Sequence, residues 1–200
     1  LALPPTLAPR MSFEGFTILR ELQVSARSHL HLAIDDQSGQ PWVIKTPSVD
    51  LQQDPEYLDR FVLEEWIARR IDSPHVVKAW PGDRPRDHLF VAMEFIEGQT
   101  LAQWRVDNPQ PGLDSVRGLV AQIAQGLQAL HRREMLHQDL RPENVMIDPQ
   151  GTVKLIDLAS AHVEGLAETH RDALTTAVPG SLQYTATEVL LGEAGSPRSE

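Results

Sequence analysis

The sequence contains no cysteine, which excludes a disulfide framework and any thiolate metal site and fits a reducing compartment. No apolar run approaches the ~20 residues that a membrane-spanning helix requires. The opening LALPPTLAPR lacks the charged-then-apolar order of a signal peptide. With Pro4, Pro5 and Pro9, residues 1–12 read instead as an extended, proline-rich linker. There is no initiator Met, so the chain reads as cut from something longer. Basic residues are in deficit, 18 against 28 acidic, for a net charge of -10. A sequence-independent nucleic-acid binder needs a basic face, so no nucleic-acid partner is expected, although the balance leaves room for a local basic pocket for phosphate. What is present is otherwise ordinary: 41% hydrophobic and 23% charged residues over 200 positions, enough for a real core in one or two domains.

From Phe16 to about Phe95 the pattern is mostly strands with one helix. TILRELQV and LHLAID are strand candidates, and DDQSGQ joins the second to PWVIKT as a hairpin. Asp54-Pro55-Glu56 is a helix start, with an N-cap acid followed by proline at the first position. Leu58, Phe61, Val62, Trp66, Ile67 and Ile71 then recur at helical spacing. VVKAW and HLFVAMEF resume strands. After Gly98 the chain turns helical. Asp114 can cap a helix whose apolar positions are Val116, Leu119, Val120, Ile123, Leu127 and Leu130, one face at a 3.6-residue period. VMI and TVKLI flank the turn DPQG as a second hairpin, and residues 159–182 read as a long loop.

The chemistry concentrates in HQDLRPEN, residues 137–144. Asp139 is placed to accept or orient the proton of an attacking hydroxyl. Asn144 and Asp157 offer amide and carboxylate oxygens suited to a hard cation bridging nucleotide phosphates. Arg141 can neutralise charge on a transferring phosphoryl group. Any one of these alone is most simply a solvated loop residue. The spacing changes that: Asp157 follows Asp139 by eighteen residues at the end of an apolar strand, and Lys45, ending the strand Val43-Ile44-Lys45, precedes Glu64 on the capped helix by nineteen. Lys45 paired to Glu64 would clamp the alpha and beta phosphates. His137, in the same motif, reads as packing beneath these segments rather than as a metal ligand.

Together these motifs resemble a eukaryotic-type (Hanks-type) bacterial serine/threonine protein kinase over about residues 13–200. Stretches such as LEEWIARRIDSPHV, EFIEGQTL and MLHQDLRPEN resemble the kinase half of bifunctional kinase/phosphatases. The resemblance implies an α+β, two-lobed kinase fold: a strand-rich N-lobe with one helix over 13–95, and a helix-rich C-lobe over 96–200 that looks truncated just after the activation segment, with exposed apolar surface as a result. It implies transfer of the ATP gamma-phosphoryl group to a Ser or Thr hydroxyl with Mg2+ or Mn2+, and a protein substrate bearing that residue. It implies a phosphatase domain preceding the linker in a longer parent, and a cytoplasmic location or the cytoplasmic face of a membrane protein. It assigns an adenine pocket, with Leu30, Val43 and Met146 sandwiching the base, Met93 at the back, and backbone groups of Glu94 and Ile96 at the adenine edge. In the activation segment Ser181 would contact Asp139 and Arg141, and Glu188 would anchor the stretch.

Four departures from the family pattern stand out. The phosphate-covering loop, Gln23 to Ser28, has no glycine, so Ser25, Arg27 and Ser28 are expected to reach phosphate through side chains. Asp157 is followed by Leu158-Ala159 rather than Phe-Gly. Gln138 stands where many kinases carry an Arg that pairs with a phosphorylated activation loop. Thr187 replaces a proline before Glu188. These departures define the rival reading, a pseudokinase serving as a nucleotide- or partner-binding regulatory module; a small-molecule kinase of related fold is a third.

Overall fold

A computed structural model describes residues 1–165 and 182–200. The chain divides into two compact units, one of residues 1–70 and 78–95, the other of residues 71–77 and 96–200.

The first unit is built on a five-stranded antiparallel sheet in the order β1 (Ser12–Phe13), β2 (Phe16–Val24), β3 (Ser28–Asp35), β4 (Pro41–Pro47), β5 (Val91–Glu94). Alternation decides its faces. Phe16, Ile18, Ala33, Ile44 and Ala92 point to one side and pack with Phe13, Trp80 and Phe90 as a buried apolar cluster. The β3–β4 hairpin closes as DDQSGQ suggests: the Asp35 carboxylate accepts bonds from the Ser38 amide (3.1 Å) and hydroxyl (2.6 Å). Burial raises the Asp35 pKa, but the bonds from Ser38 and Arg84 outweigh it and hold the carboxyl below its ordinary range.

Residues 1–11 differ from a free linker. Leu7, 7% exposed, joins the apolar cluster, and Ala2 forms a parallel bridge to His88, with Ala2 N donating to Asp87 O and Leu89 N to Ala2 O, both at 2.8 Å. Prolines keep this stretch extended, and an extended chain can lend one backbone edge and one apolar side chain to a sheet it never fully joins.

Helix α1 (Pro55–Ala68) starts where the sequence predicts, with the Asp54 carboxylate accepting from Tyr57 N at 3.2 Å. Its buried face is Phe61, Glu64, Glu65, Ile67 and Ala68. Val62 is largely exposed and Ile71 lies beyond the helix, so the apolar stripe is narrower than the spacing suggests and two carboxylates complete it. VVKAW and most of HLFVAMEF are not strands. Residues 76 and 79 make isolated bridges to Leu155 and Met93, and only Val91–Glu94 is laddered.

In the second unit, β6 (Gln99–Thr100), β8 (Val145–Ile147) and β9 (Val153–Leu155) form a small sheet, and β7 (Met135–Leu136) pairs with β10 (His162–Val163). β8 and β9 are the predicted hairpin. The backbone at Gly98 runs against β8 so closely that a Cβ there would lie 2.2 Å from the Ile147 carbonyl oxygen. α2 (Leu101–Asp107) is capped by Thr100, whose hydroxyl accepts from Gln103 N. α3 (Leu113–His131) begins at Gly112, so Asp114 sits in its first turn rather than at the cap; there it still opposes the positive helix end. Leu127 and Leu130 are buried, while Leu113 and Val120 are exposed. Residues 75–77 tack onto β9 through Val77 N to Leu155 O and Leu155 N to His75 O, both 2.9 Å. α4 (Thr187–Leu190) is the last helix among the described residues, and Leu190 and Leu191 are exposed. Among the described residues no helix is long and apolar enough to cross a membrane.

Candidate active site

The first unit holds the candidate residues Leu30, Val43, Lys45, Glu64 and Met93. Strand register pairs Leu30 with Lys45, Leu32 with Val43, Val43 with Met93 and Lys45 with Val91. Paired residues project to the same side, so Leu30, Val43, Lys45 and Met93 share the face opposite the apolar cluster. On that face the Lys45 ammonium donates to Glu64 Oε2 at 2.6 Å, with the side chains only 14% and 4% exposed. A pair this enclosed is charge-assisted, and removing one partner strands the other charge at a cost of roughly 3–5 kcal/mol. Glu94 N donates to Lys78 O at 2.9 Å, so an adenine contact at this residue would fall to its carbonyl. Ile96 and Met146 belong to the second unit.

The glycine-free turn between β2 and β3 is closed by its own serine. Ser25 Oγ accepts from Arg27 N (3.2 Å) and Ser28 N (3.0 Å) and donates to Ser28 O (3.0 Å). The hydroxyl that was expected to meet phosphate is thus committed to shaping the loop. Ser28 is buried at the start of β3. The Arg27 carbonyl accepts from Ser48 N at 2.9 Å and from the Tyr57 hydroxyl, tying the turn to the first turn of α1. Burial raises the Tyr57 pKa, keeping it a donor.

The second unit holds Asp139, Arg141, Asn144 and Asp157. His137 is fully buried, and both ring nitrogens are occupied: Asp139 N lies 3.3 Å from Nδ1 and Nε2 reaches Ile156 O at 3.0 Å. Nδ1 therefore accepts and Nε2 donates, the neutral form, and the ring stitches the loop to the residue before Asp157. Asn144 Nδ2 donates to both the backbone oxygen and Oδ2 of Asp139, each at 2.9 Å. That fixes the Asp139 carboxylate and turns the Asn144 amide oxygen away from it. Ile156 N donates to Asn144 O at 3.0 Å, bringing Asp157 alongside Asn144. Asp157 itself is left-handed, at φ 61°, a conformation costly for a non-glycine residue and concentrated at functional sites. Leu158 behind it is fully buried, as an apolar plug requires. Arg141 Nε stands 3.5 Å from Asp139 Oδ2.

Among the described residues no group of three or more His, Asp or Glu is set to hold a metal. Asn144 and Asp157 together offer an amide oxygen and a carboxylate. This is the partial donor set a hard cation takes when phosphate oxygens supply the remainder. The residues present therefore fit a nucleotide-bound divalent cation. Ser181 lies outside the described residues. Glu188 accepts from Ser199 Oγ at 2.8 Å, and hydrogen bonds from its own backbone amide and from Ser199 hold its pKa down.

One contributor escaped the sequence reading. Glu200 Oε1 accepts from Gln138 N at 2.6 Å, and Oε2 lies 2.6 Å from His131 Nε2. The amide it holds belongs to a residue at φ 61° next to Asp139. Nothing local marks this glutamate, because its partners lie 62 and 69 positions away.

Comparison with known proteins agrees with this geometry. Serine/threonine-protein kinase PknF of Mycobacterium tuberculosis is 28% identical over 97% of this chain and 42% of its own length. PrkC of Bacillus subtilis is 26% identical over 92% of this chain and 28% of its own. PknA of Corynebacterium glutamicum is 30% identical over 86% of the chain and 37% of its own. The chain thus spans between about a quarter and under half of these relatives. Their names speak of kinases and lend nothing to the narrower likeness to kinase/phosphatases. The crystal structure of the M. tuberculosis PknI kinase domain superposes with a TM-score of 0.70 over 97% of this chain and 70% of that one, at 24% identity, which establishes the kinase fold. Residues 20–199 match the protein kinase domain, and the chain belongs to that family, whose members use ATP and a divalent metal.

Proposed function

We propose that this chain is the catalytic part of a protein serine/threonine kinase. The observation that carries the reading is the joint presence of an enclosed Lys45–Glu64 pair and an Asp139 carboxylate clamped by Asn144, next to a left-handed Asp157. Bound nucleotide with its cation supplies the gamma-phosphoryl group as an electrophile. Lys45, steadied by Glu64, orients the alpha and beta phosphates. Asn144 and Asp157 would hold the cation through their oxygens, and the cation would offset charge on the phosphates. Asp139 orients the attacking hydroxyl and takes its proton at the carboxylate. Arg141 lowers the cost of charge on the transferring group. The family resemblance assigns Leu30, Val43, Met93, Glu94, Ile96 and Met146 to adenine recognition. The sequence of Arg141-Pro142-Glu143-Asn144 resembles the Ser/Thr-directed branch, and the names of the relatives support the same substrate class.

The test is magnesium-dependent transfer of labelled phosphate from ATP to the protein itself or to a basic Ser/Thr substrate. Labelling that disappears in Asp139→Ala and Lys45→Ala is the expected result. ATP binding without transfer would instead identify a pseudokinase.

A further inference from the structure

α1 buries two adjacent carboxylates, and only the first meets Lys45. The second, Glu65, accepts a two-pronged bond from Arg86, Nη1 to Oε2 and Nη2 to Oε1, both 2.8 Å. Arg69 adds Nε (2.9 Å) and Nη2 (2.8 Å) to Oε1. Arg86 is aimed by its surroundings: Nη1 also donates to Phe90 O at 3.1 Å, and the guanidinium lies 4.4 Å over the Phe90 ring.

The segment that carries Arg86 has no regular structure over residues 81–87, yet it is bound on every side. Arg84 donates to Asp35 Oδ1 (2.7 Å) and Gly15 O (2.9 Å). The Glu14 carboxylate accepts from the amides of Asp87 and His88 and contacts the His88 ring at 2.7 Å. Ala2 completes the clasp. Arg86 is thus a fixed post.

Successive residues on a helix point 100° apart. A helix anchored at one side chain can still roll about its axis; one anchored at two neighbours cannot. We infer that the Arg86–Glu65 pair is a positioning latch that sets the roll of α1 and so keeps Glu64 on Lys45. The bidentate fork suits this, because it fixes orientation as well as distance. The consequence for catalysis rests on the kinase reading; the latch itself does not.

The test measures Lys45 directly. The chain has three lysines, Lys45, Lys78 and Lys154, so limited acetylation with an N-hydroxysuccinimide ester, followed by peptide mass spectrometry, reports each separately. Glu64→Gln sets the response of Lys45 without the Glu64 carboxylate. Arg86→Ala and the shape-preserving Glu65→Gln should raise Lys45 modification at least about threefold with Lys154 unchanged, since loss of a neighbouring carboxylate frees the amine. Arg86→Lys should fall between, keeping charge without the fork. Lys45 reactivity that stays at the wild-type rate in both variants, while Glu64→Gln raises it, overturns the latch. A uniform rise at all three lysines also overturns it, because Arg86 would then be a general support. A positive labelling response in a protein that transfers no phosphate rejects the kinase reading and keeps the latch. In an active protein, Arg86→Ala lowers kcat/KM for ATP by about tenfold, with partial recovery in Arg86→Lys.

Discussion

At the level of single residues, the site is a set of side chains whose freedom has been removed. Asp139 is held by Asn144 and by the His137 ring beneath its amide. Replacing Asn144 with Ala removes that clamp and, on the proposed reading, a cation oxygen, so transfer should fall at least about a hundredfold while the fold persists, read as kcat against thermal midpoint. His31 offers a second prediction. It is buried in β3. Burial lowers its pKa below 6.5; Glu21 opposes the effect and His29 adds to it. The folded state therefore binds fewer protons than the unfolded state below pH 6.5, and stability drops as pH falls from there toward the folded pKa. His31→Gln should flatten that stretch of the stability–pH curve in urea titrations. The residues proposed for catalysis were legible as a motif because their order and spacing survive in one dimension. Ser25 was not, because only the closed turn shows its hydroxyl already engaged, and Glu200 was not, because its partners are remote.

At the level of elements, the sequence marks ends better than faces. The Asp54-Pro55 start of α1 is where the cap chemistry puts it, and Asp54→Ala should cost about 1 kcal/mol by chemical denaturation. The buried face of that helix could not be read from apolar spacing, since Glu64 and Glu65 occupy it on the strength of Lys45 and Arg86. VVKAW fails as a strand for a related reason: β-rich composition measures fit to a half-buried surface, and here the two ends of the pentapeptide meet different neighbours. α3 shows what close packing demands. A Cβ on Gly126 would stand 2.7 Å from the His75 carbonyl oxygen and 3.0 Å from Leu155. Gly126→Val should therefore destabilise the second unit by about 1–3 kcal/mol through overpacking, despite the better helix propensity, seen as a lowered unfolding midpoint.

For the molecule as a whole, ligand binding and folding are linked. If ATP with magnesium engages the folded chain, the thermal midpoint rises with nucleotide concentration, by about 2.7 kcal/mol of added stability at a hundred times Kd. ATP without the metal should give a smaller shift, if Asn144 and Asp157 hold the cation as proposed. The N-terminal eleven residues belong to this same balance. Leu7→Ala should cost about 2–3 kcal/mol, as for a buried leucine elsewhere, and no change in the denaturation midpoint would return the segment to the status of a spacer. Because Leu7 fills a socket made by other parts of the chain, the segment behaves as a tethered peptide ligand of its own domain. Its local concentration is set by the few residues joining it to β1. A synthetic peptide spanning residues 1–11 would then compete for the socket only at millimolar levels, and a version with Leu7 replaced by aspartate would not compete at all.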